Sequence, residues 1–147
     1  MKTEILNKLD ALFASSPILR ATELPSDTEI SEAAIQLGIP FPADYREFLL
    51  KYGGAMVGAY PIFGLRPVKV MDDDLWSVVC VTRRCRERKV PGTEAWIVFS
   101  EDHAGNPIGI DRKGTVWIHD HDFGGIMQLA ADFEEYLRRK CLKMGPS

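Results

Sequence analysis

The chain has 147 residues, 46% of them hydrophobic and 27% charged, with a formal net charge of −3. These values point to a single globular domain, 1–147, able to bury roughly 70% of its unfolded surface without disulfide or metal staples. They exclude a helical membrane protein, since no run approaches about 18 uncharged apolar residues, and an acidic balance argues against direct nucleic-acid binding.

The first predicted helix covers residues 3–14, with Ile5, Leu9, Leu12 and Phe13 on one side. Lys2, Glu4, Lys8 and Asp10 interrupt that segment, so it lacks the apolar core of a signal peptide. Residues 15–27 read as a loop. Ser26-Asp27-Thr28-Glu29 has capping-box spacing and should start a second helix. Ile30, Ala33, Ala34 and Leu37 recur at i, i+3, i+4, i+7 and form its apolar face. Gly38 stands where a helix end needs a left-handed residue. Pro40 and Pro42 prevent continuation, and Pro42 suits the first position of a third helix. Tyr45, Phe48, Leu49 and Tyr52 give that helix its core face, and Gly53-Gly54 stops it. Ala55 to Pro67 is irregular and has room for a short strand or two.

Asp72-Asp73-Asp74 precedes Leu75, Val78, Val79, Thr82 and Cys85, as acids do at a helix N-terminus. The bases Arg83, Arg84, Arg86, Arg88 and Lys89 then fall in the last turns, on a solvated helix end; an anion-binding patch is the sharper reading of the same cluster. From Ala95 the period changes. Ala95 to Phe99 reads as a buried strand, and Ile108–Asp111 and Thr115–His119 flank a hairpin connection ending in Gly114. Asp132 is an N-cap candidate for a last helix carrying Phe133, Tyr136, Leu137 and Cys141. Residues 143–147 read as a frayed tail. The order gives an α+β fold: helices flanking an antiparallel or mixed sheet meander. Trp96, Val98, Ile108, Ile110 and Phe133 are expected to share one core with the second and third helices.

Cys80, Cys85 and Cys141 are odd in number and lack CxxC spacing. Reduced thiols in a cytoplasmic protein are the simple reading, with Cys80 and Cys85 as buried apolar-face residues. No Gly-x-Ser-x-Gly elbow is present, and Gly105-Asn106-Pro107 reads as a turn rather than a phosphate loop.

Four blocks resemble the SUKH superfamily, the Smi/Knr-type domain. The first is Leu37-Gly38, Phe41-Pro42-Ala43-Asp44-Tyr45, Phe48-Leu49 and Tyr52-Gly53-Gly54. The second runs from Phe99-Ser100-Glu101-Asp102 through Gly105 to Asp111, and the third from Gly114-Thr115-Val116-Trp117 through Asp120-His121-Asp122. The fourth, Leu129 to Leu137, is similar to the family's closing helix. The blocks span most of 28–140 in the family's order. Gly53 replaces a common Asn and Asp132 a common Ser; both keep the local role. The resemblance implies a compact α+β domain without enzymatic activity or cofactor. In bacteria such domains serve largely as immunity proteins that bind and neutralise a cognate toxin, often a nuclease. A related eukaryotic domain sits in a cell-wall regulatory protein.

All three histidines, His103, His119 and His121, fall in one window. His119-Asp120-His121-Asp122 partly resembles the His-x-His-x-Asp stretch of metal-dependent hydrolases, and His103 would make a third ligand. Gly124 stands where that motif wants another histidine, and none follows 121. Metal-dependent hydrolysis is therefore the rival to a binding role, and a regulatory scaffold is a third reading. For the binding role, consecutive strands tend to be neighbours. This should bring Glu101, Asp102 and His103 near Asp120, His121 and Asp122 at one loop edge, as an acidic surface for a basic toxin.

Overall fold

The apolar stripes of the N-terminal half become helices, and their stop signals end them. In the computed structural model, which describes residues 1–145, α1 (Thr3–Ser15) buries Ile5, Leu9 and Phe13. Ser26 caps α2 (Asp27–Leu37). Its hydroxyl accepts from Glu29 N and the Glu29 carboxylate accepts from Ser26 N, each at 3.2 Å. Gly38 closes α2 at φ 75°. α3 (Ala43–Tyr52) buries Tyr45, Phe48, Leu49 and Tyr52. Gly53 ends it at φ 76°, and a side chain there would also meet Ala21 and Glu23 at 2.9 Å. Pro42 stands at the N-cap of α3, one position before the one expected.

The irregular stretch holds a hairpin of β1 (Ala55–Val57) and β2 (Tyr60–Ile62). α4 (Val78–Glu87) starts later than its preceding acids suggested. Ser77 caps it, accepting from Cys80 N at 3.2 Å, and its first turn carries no acid. A hydroxyl at the N-cap satisfies an orphan N–H directly, which a charge several residues upstream does not.

The second half is a four-stranded antiparallel meander in the order β3 (Trp96–Glu101), β4 (Pro107–Asp111), β5 (Val116–Asp120), β6 (Gly125–Ala130). Asp111 builds the β4–β5 turn: one carboxylate oxygen accepts from Lys113 N and Thr115 N, the other from Trp117 Nε1 at 2.9 Å. β6 has no counterpart in the sequence reading. Leu129 and Ala130, grouped there with the closing helix, end this strand instead. α5 (Phe133–Tyr136) follows, capped by Asp132, which accepts from Glu135 N at 2.7 Å. It runs into a π-helical turn, Leu137–Cys141. Met144 N donates to Arg138 O at 2.7 Å, and Arg138 donates to Gly145 O at 3.0 Å. Residues 146 and 147 of the expected tail lie outside the described residues.

The core fills the space between the helices and the inner sheet face. At its centre Phe133 meets Tyr45, Phe48 and Phe99, and Phe99 meets Tyr136, ring edges to faces at 5.1–5.5 Å. Ile30, Leu37, Val98, Ile108 and Ile110 join it, with Ala34 at its margin. Trp96 departs from expectation. It is buried, but on the opposite sheet face, where a Cβ added at Gly109 would lie 2.6 Å from its own. Ile108 and Ile110 face the core, so Gly109 between them faces outward, and its missing side chain makes room for the indole.

α4 and the residue after β2 seal the outer edge of β3. Thr82 Oγ1 accepts from Val98 N at 2.9 Å, Arg86 donates to Trp96 O at 2.9 Å, and Phe63 N donates to Phe99 O at 2.7 Å. No helix among the described residues is long and apolar enough to cross a membrane.

Candidate functional site

The candidate residues lie on two turns at one end of the meander, after β3 and after β5. In the first, Asp102 accepts from Ala104 N at 3.0 Å and from Asn106 N at 2.8 Å, while its second oxygen accepts from Asn106 Nδ2 at 2.9 Å. Asn106, only 2% exposed, joins the turns. Its Oδ1 accepts from His121 N at 3.3 Å and meets His121 Nδ1 as well. In the second turn Asp120 accepts from Asp122 N at 3.0 Å and Phe123 N at 3.2 Å. His121 Nε2 lies 3.4 Å from the Asp122 carboxylate.

The expected neighbourhood of Asp102 with Asp120, His121 and Asp122 therefore exists, and Asn106 makes it. In sequence Asn106 reads only as a turn residue; its place beside a proline between two strands is the available signal. The six residues still differ in what they offer. Asp102 spends one oxygen on turn N–H groups and the other on the Asn106 amide, and Asp120 spends one oxygen on turn N–H groups. Asp122 is exposed at the tip. Glu101 and His103, together with Asp102, line a groove of about 270 Å³ that Met56, Phe63, Val70, Leu75 and Asp72 complete.

In that groove His103 stacks on Tyr60 at 5.5 Å and lies 3.2 Å from Ala59 O. Glu101 is half-buried, and among the described residues its carboxyl has no hydrogen-bond or ion-pair partner. Burial raises its pKa, and the charges of Asp102 and Asp72 raise it further. A cationic side chain entering over the apolar floor would satisfy it.

The rival metal site is not assembled. Among the described residues no group of three or more His, Cys, Asp or Glu side chains is placed to hold a metal ion. His103 and His121 belong to different neighbourhoods, and His119 sits on β5 opposite Ile126. Burial raises the Cys85 thiol and pushes Cys141 up to about 12, which disfavours the thiolate at both. Cys80, expected to be buried, is exposed, and Cys85 is only partly buried.

Three of the five bases of the basic stretch bond within the protein. Arg86 donates to Thr93 O at 3.0 Å, Leu37 O at 2.8 Å and Trp96 O at 2.9 Å. Arg83 bonds Gln36 and Arg84 bonds Asp74 O. Far from the turns, a hollow of about 820 Å³ lies between the start of α1 and α5. Acids and bases of its lining pair there, as Arg139 does with Glu135 at 2.9 Å.

The block that carried the resemblance is structural. Asp44 accepts from Glu134 N at 3.0 Å and so ties α3 to α5. The buried Tyr45 hydroxyl donates to Phe63 O at 2.6 Å. No curated protein matches the chain. The family model SUKH_5, described as SMI1-KNR4 cell-wall, matches residues 2–142, nearly the whole chain, and the ordered blocks and the α+β meander agree with it. The chain belongs to this SUKH family of Smi/Knr-type domains.

Proposed function

We propose that this protein is a cytoplasmic immunity protein that binds a cognate toxin, a nuclease, and holds it inactive through the two-turn end of the meander. Glu101, Asp102, His103, Asp120, His121 and Asp122 form that contact surface, with no catalysis and no cofactor. The family supports a binding role, since its bacterial members are typically immunity proteins. The observation that carries the reading to this surface is Glu101: a half-buried carboxylate without a cationic partner among the described residues, beside Asp72 and Asp102 and over an apolar floor. Its desolvation is unfavourable in the free protein and is relieved when a lysine or arginine arrives. A nuclease presents such side chains where it would hold phosphates.

Co-expression with the toxin encoded by the adjoining gene should restore growth. Asp122→Lys then tests the surface, because Asp122 is exposed and leaves the Asp120 turn intact. Its association with the toxin should slow by about tenfold at low salt, with a shallower salt dependence. An unchanged rate would move the interface away from these turns; growth that is not restored would remove the immunity role.

A further inference from the structure

The groove beside Glu101 joins apolar walls to a rim of one charge sign. Met56, Phe63 and Leu75 line it together with Asp72, Glu101 and Asp102, and no lysine or arginine is among its lining residues. The bases near it in the fold or the sequence are directed elsewhere. Lys69 adjoins Val70 but lines a separate hollow with Glu23 and Asp73. On α4, Arg84 donates to Asp74 O at 3.4 Å. Arg84 and Arg88 act on the Cys85 thiol, whereas the charges that act on Glu101 are those of Asp102 and Asp72. Asp102 already has both carboxylate oxygens bonded within its own turn. Among the described residues Glu101 is therefore the acceptor that the groove leaves open.

The volume, about 270 Å³, lies below the usual range of small-molecule sites, about 300–1,000 Å³. It suits one long side chain of a partner, with an apolar stem for Met56 and Leu75 and a cationic head for Glu101. Lysine and arginine both have these parts, and the groove discriminates between them. Glu101 is half-buried, so an entering head must shed water. A guanidinium is weakly hydrated and meets a carboxylate with two parallel N–H donors; an ammonium is strongly hydrated and meets it as a point charge. His103 adds a flat ring, stacked on Tyr60 with the two planes 16° apart, and a guanidinium stacks on such faces. His103 Nε2 lies 3.2 Å from Ala59 O. A carbonyl only accepts, so Nε2 carries the proton and Nδ1 of the neutral ring remains an acceptor.

We propose that this groove is an arginine pocket: the partner inserts one arginine, its guanidinium on Glu101 and its stem against Met56 and Leu75. The proposal rests on the immunity reading and deepens it by naming the side chain that the toxin must present. Asp72 and Asp102 draw the cation toward the groove, and Glu101 is its direct acceptor. A lysine at the same place in the toxin is the poorer fit.

The test needs no toxin. Three acetylated and amidated peptides, Gly-Arg-Gly, Gly-Lys-Gly and Gly-citrulline-Gly, are titrated into the full chain while the methyl NMR signals of Met56 and Leu75 are followed. The arginine peptide should shift both signals saturably and bind about fivefold tighter than the lysine peptide. The citrulline peptide has nearly the same shape without the charge and should bind about tenfold more weakly than the arginine peptide. Glu101→Gln should weaken the arginine peptide by about tenfold as well. General attraction to an acidic protein acts on both basic peptides alike, so equal affinities, shifts that do not saturate or shifts elsewhere would overturn the proposal. So would a dimer in sedimentation that Glu101→Gln dissolves, because the arginine would then come from a second copy. The peptide comparison uses the unaltered chain, so it decides even where the variant does not fold. A protein that restores growth beside its toxin but does not bind the arginine peptide keeps the immunity role and loses the pocket; one that binds the peptide but fails to restore growth does the reverse.

Discussion

Arg86 joins three segments of the chain through one guanidinium. In a run of five bases against one acid it looks like solvated charge. In the fold its guanidinium reaches three carbonyls, at the end of α2, before β3 and on β3 itself. A planar fork of donors is what lets one residue tie three segments, and lysine cannot copy it. Arg86→Leu should therefore lower the unfolding free energy by about 2–3 kcal/mol in urea titration, and Arg86→Lys should recover less than half of that. A loss below about 0.5 kcal/mol would make it an ordinary surface charge. The same distinction governs the acids. The sequence places Asp102, Asp120 and Asp122 in a cluster of strand-end turns, and the structure has them there. It does not reveal that Asp102 and Asp120 turn back on their own backbone, because that depends on the conformation of each turn and on Asn106 between them.

Among the elements, the helices are the legible part. α1, α2 and α3 carry strong stripes and unambiguous ends, and the capping box at Ser26 forms as its spacing requires. The stripe of α3 identifies Phe48 as fully buried, touching Tyr52 and Phe133 with ring centroids 5.1 and 5.5 Å apart. Phe48→Ala should cost about 3–5 kcal/mol, the loss of an aromatic from a packed centre. A measured loss under about 1 kcal/mol would show that the cluster collapses around the gap. β6 is not legible, for two physical reasons. Its Ile126, Met127 and Gln128 are exposed in a row, so the strand has no alternation to read. Its Met, Gln, Leu and Ala are also good helix formers, and they run straight into a helix cap at Asp132. Pairing with β5 outweighs propensity here. For α4 the misreading lies at its start: three acids are a louder signal than the single Ser77 that caps the helix.

At the scale of the whole molecule, stability and binding pull on the same carboxylate. The protein has a net charge of −3, and Glu101 lies half-buried near Asp72 and Asp102 with no ion-pair partner among the described residues. Its pKa is raised in the native state, so the native state holds its proton more tightly than the unfolded chain does. Ionised Glu101 therefore subtracts from stability. The penalty is absent below the unfolded carboxylate range, near about pH 4, grows as pH rises through the raised native value, and is complete above it. Glu101→Gln should then raise Tm at pH 7, and the gain should vanish as pH falls toward about 3.5. A gain that persists in acid would point to better packing of the amide, not to removal of a buried charge. The complex responds with the opposite sign. If a toxin lysine or arginine occupies the groove, the Glu101→Gln amide leaves that cation half-desolvated with no countercharge, and dissociation should speed up even as the free protein melts later. A variant that is more stable and binds equally well would show that the groove stays empty in the complex. One that is more stable but releases the toxin faster would show a surface kept costly in isolation because its ligand completes it.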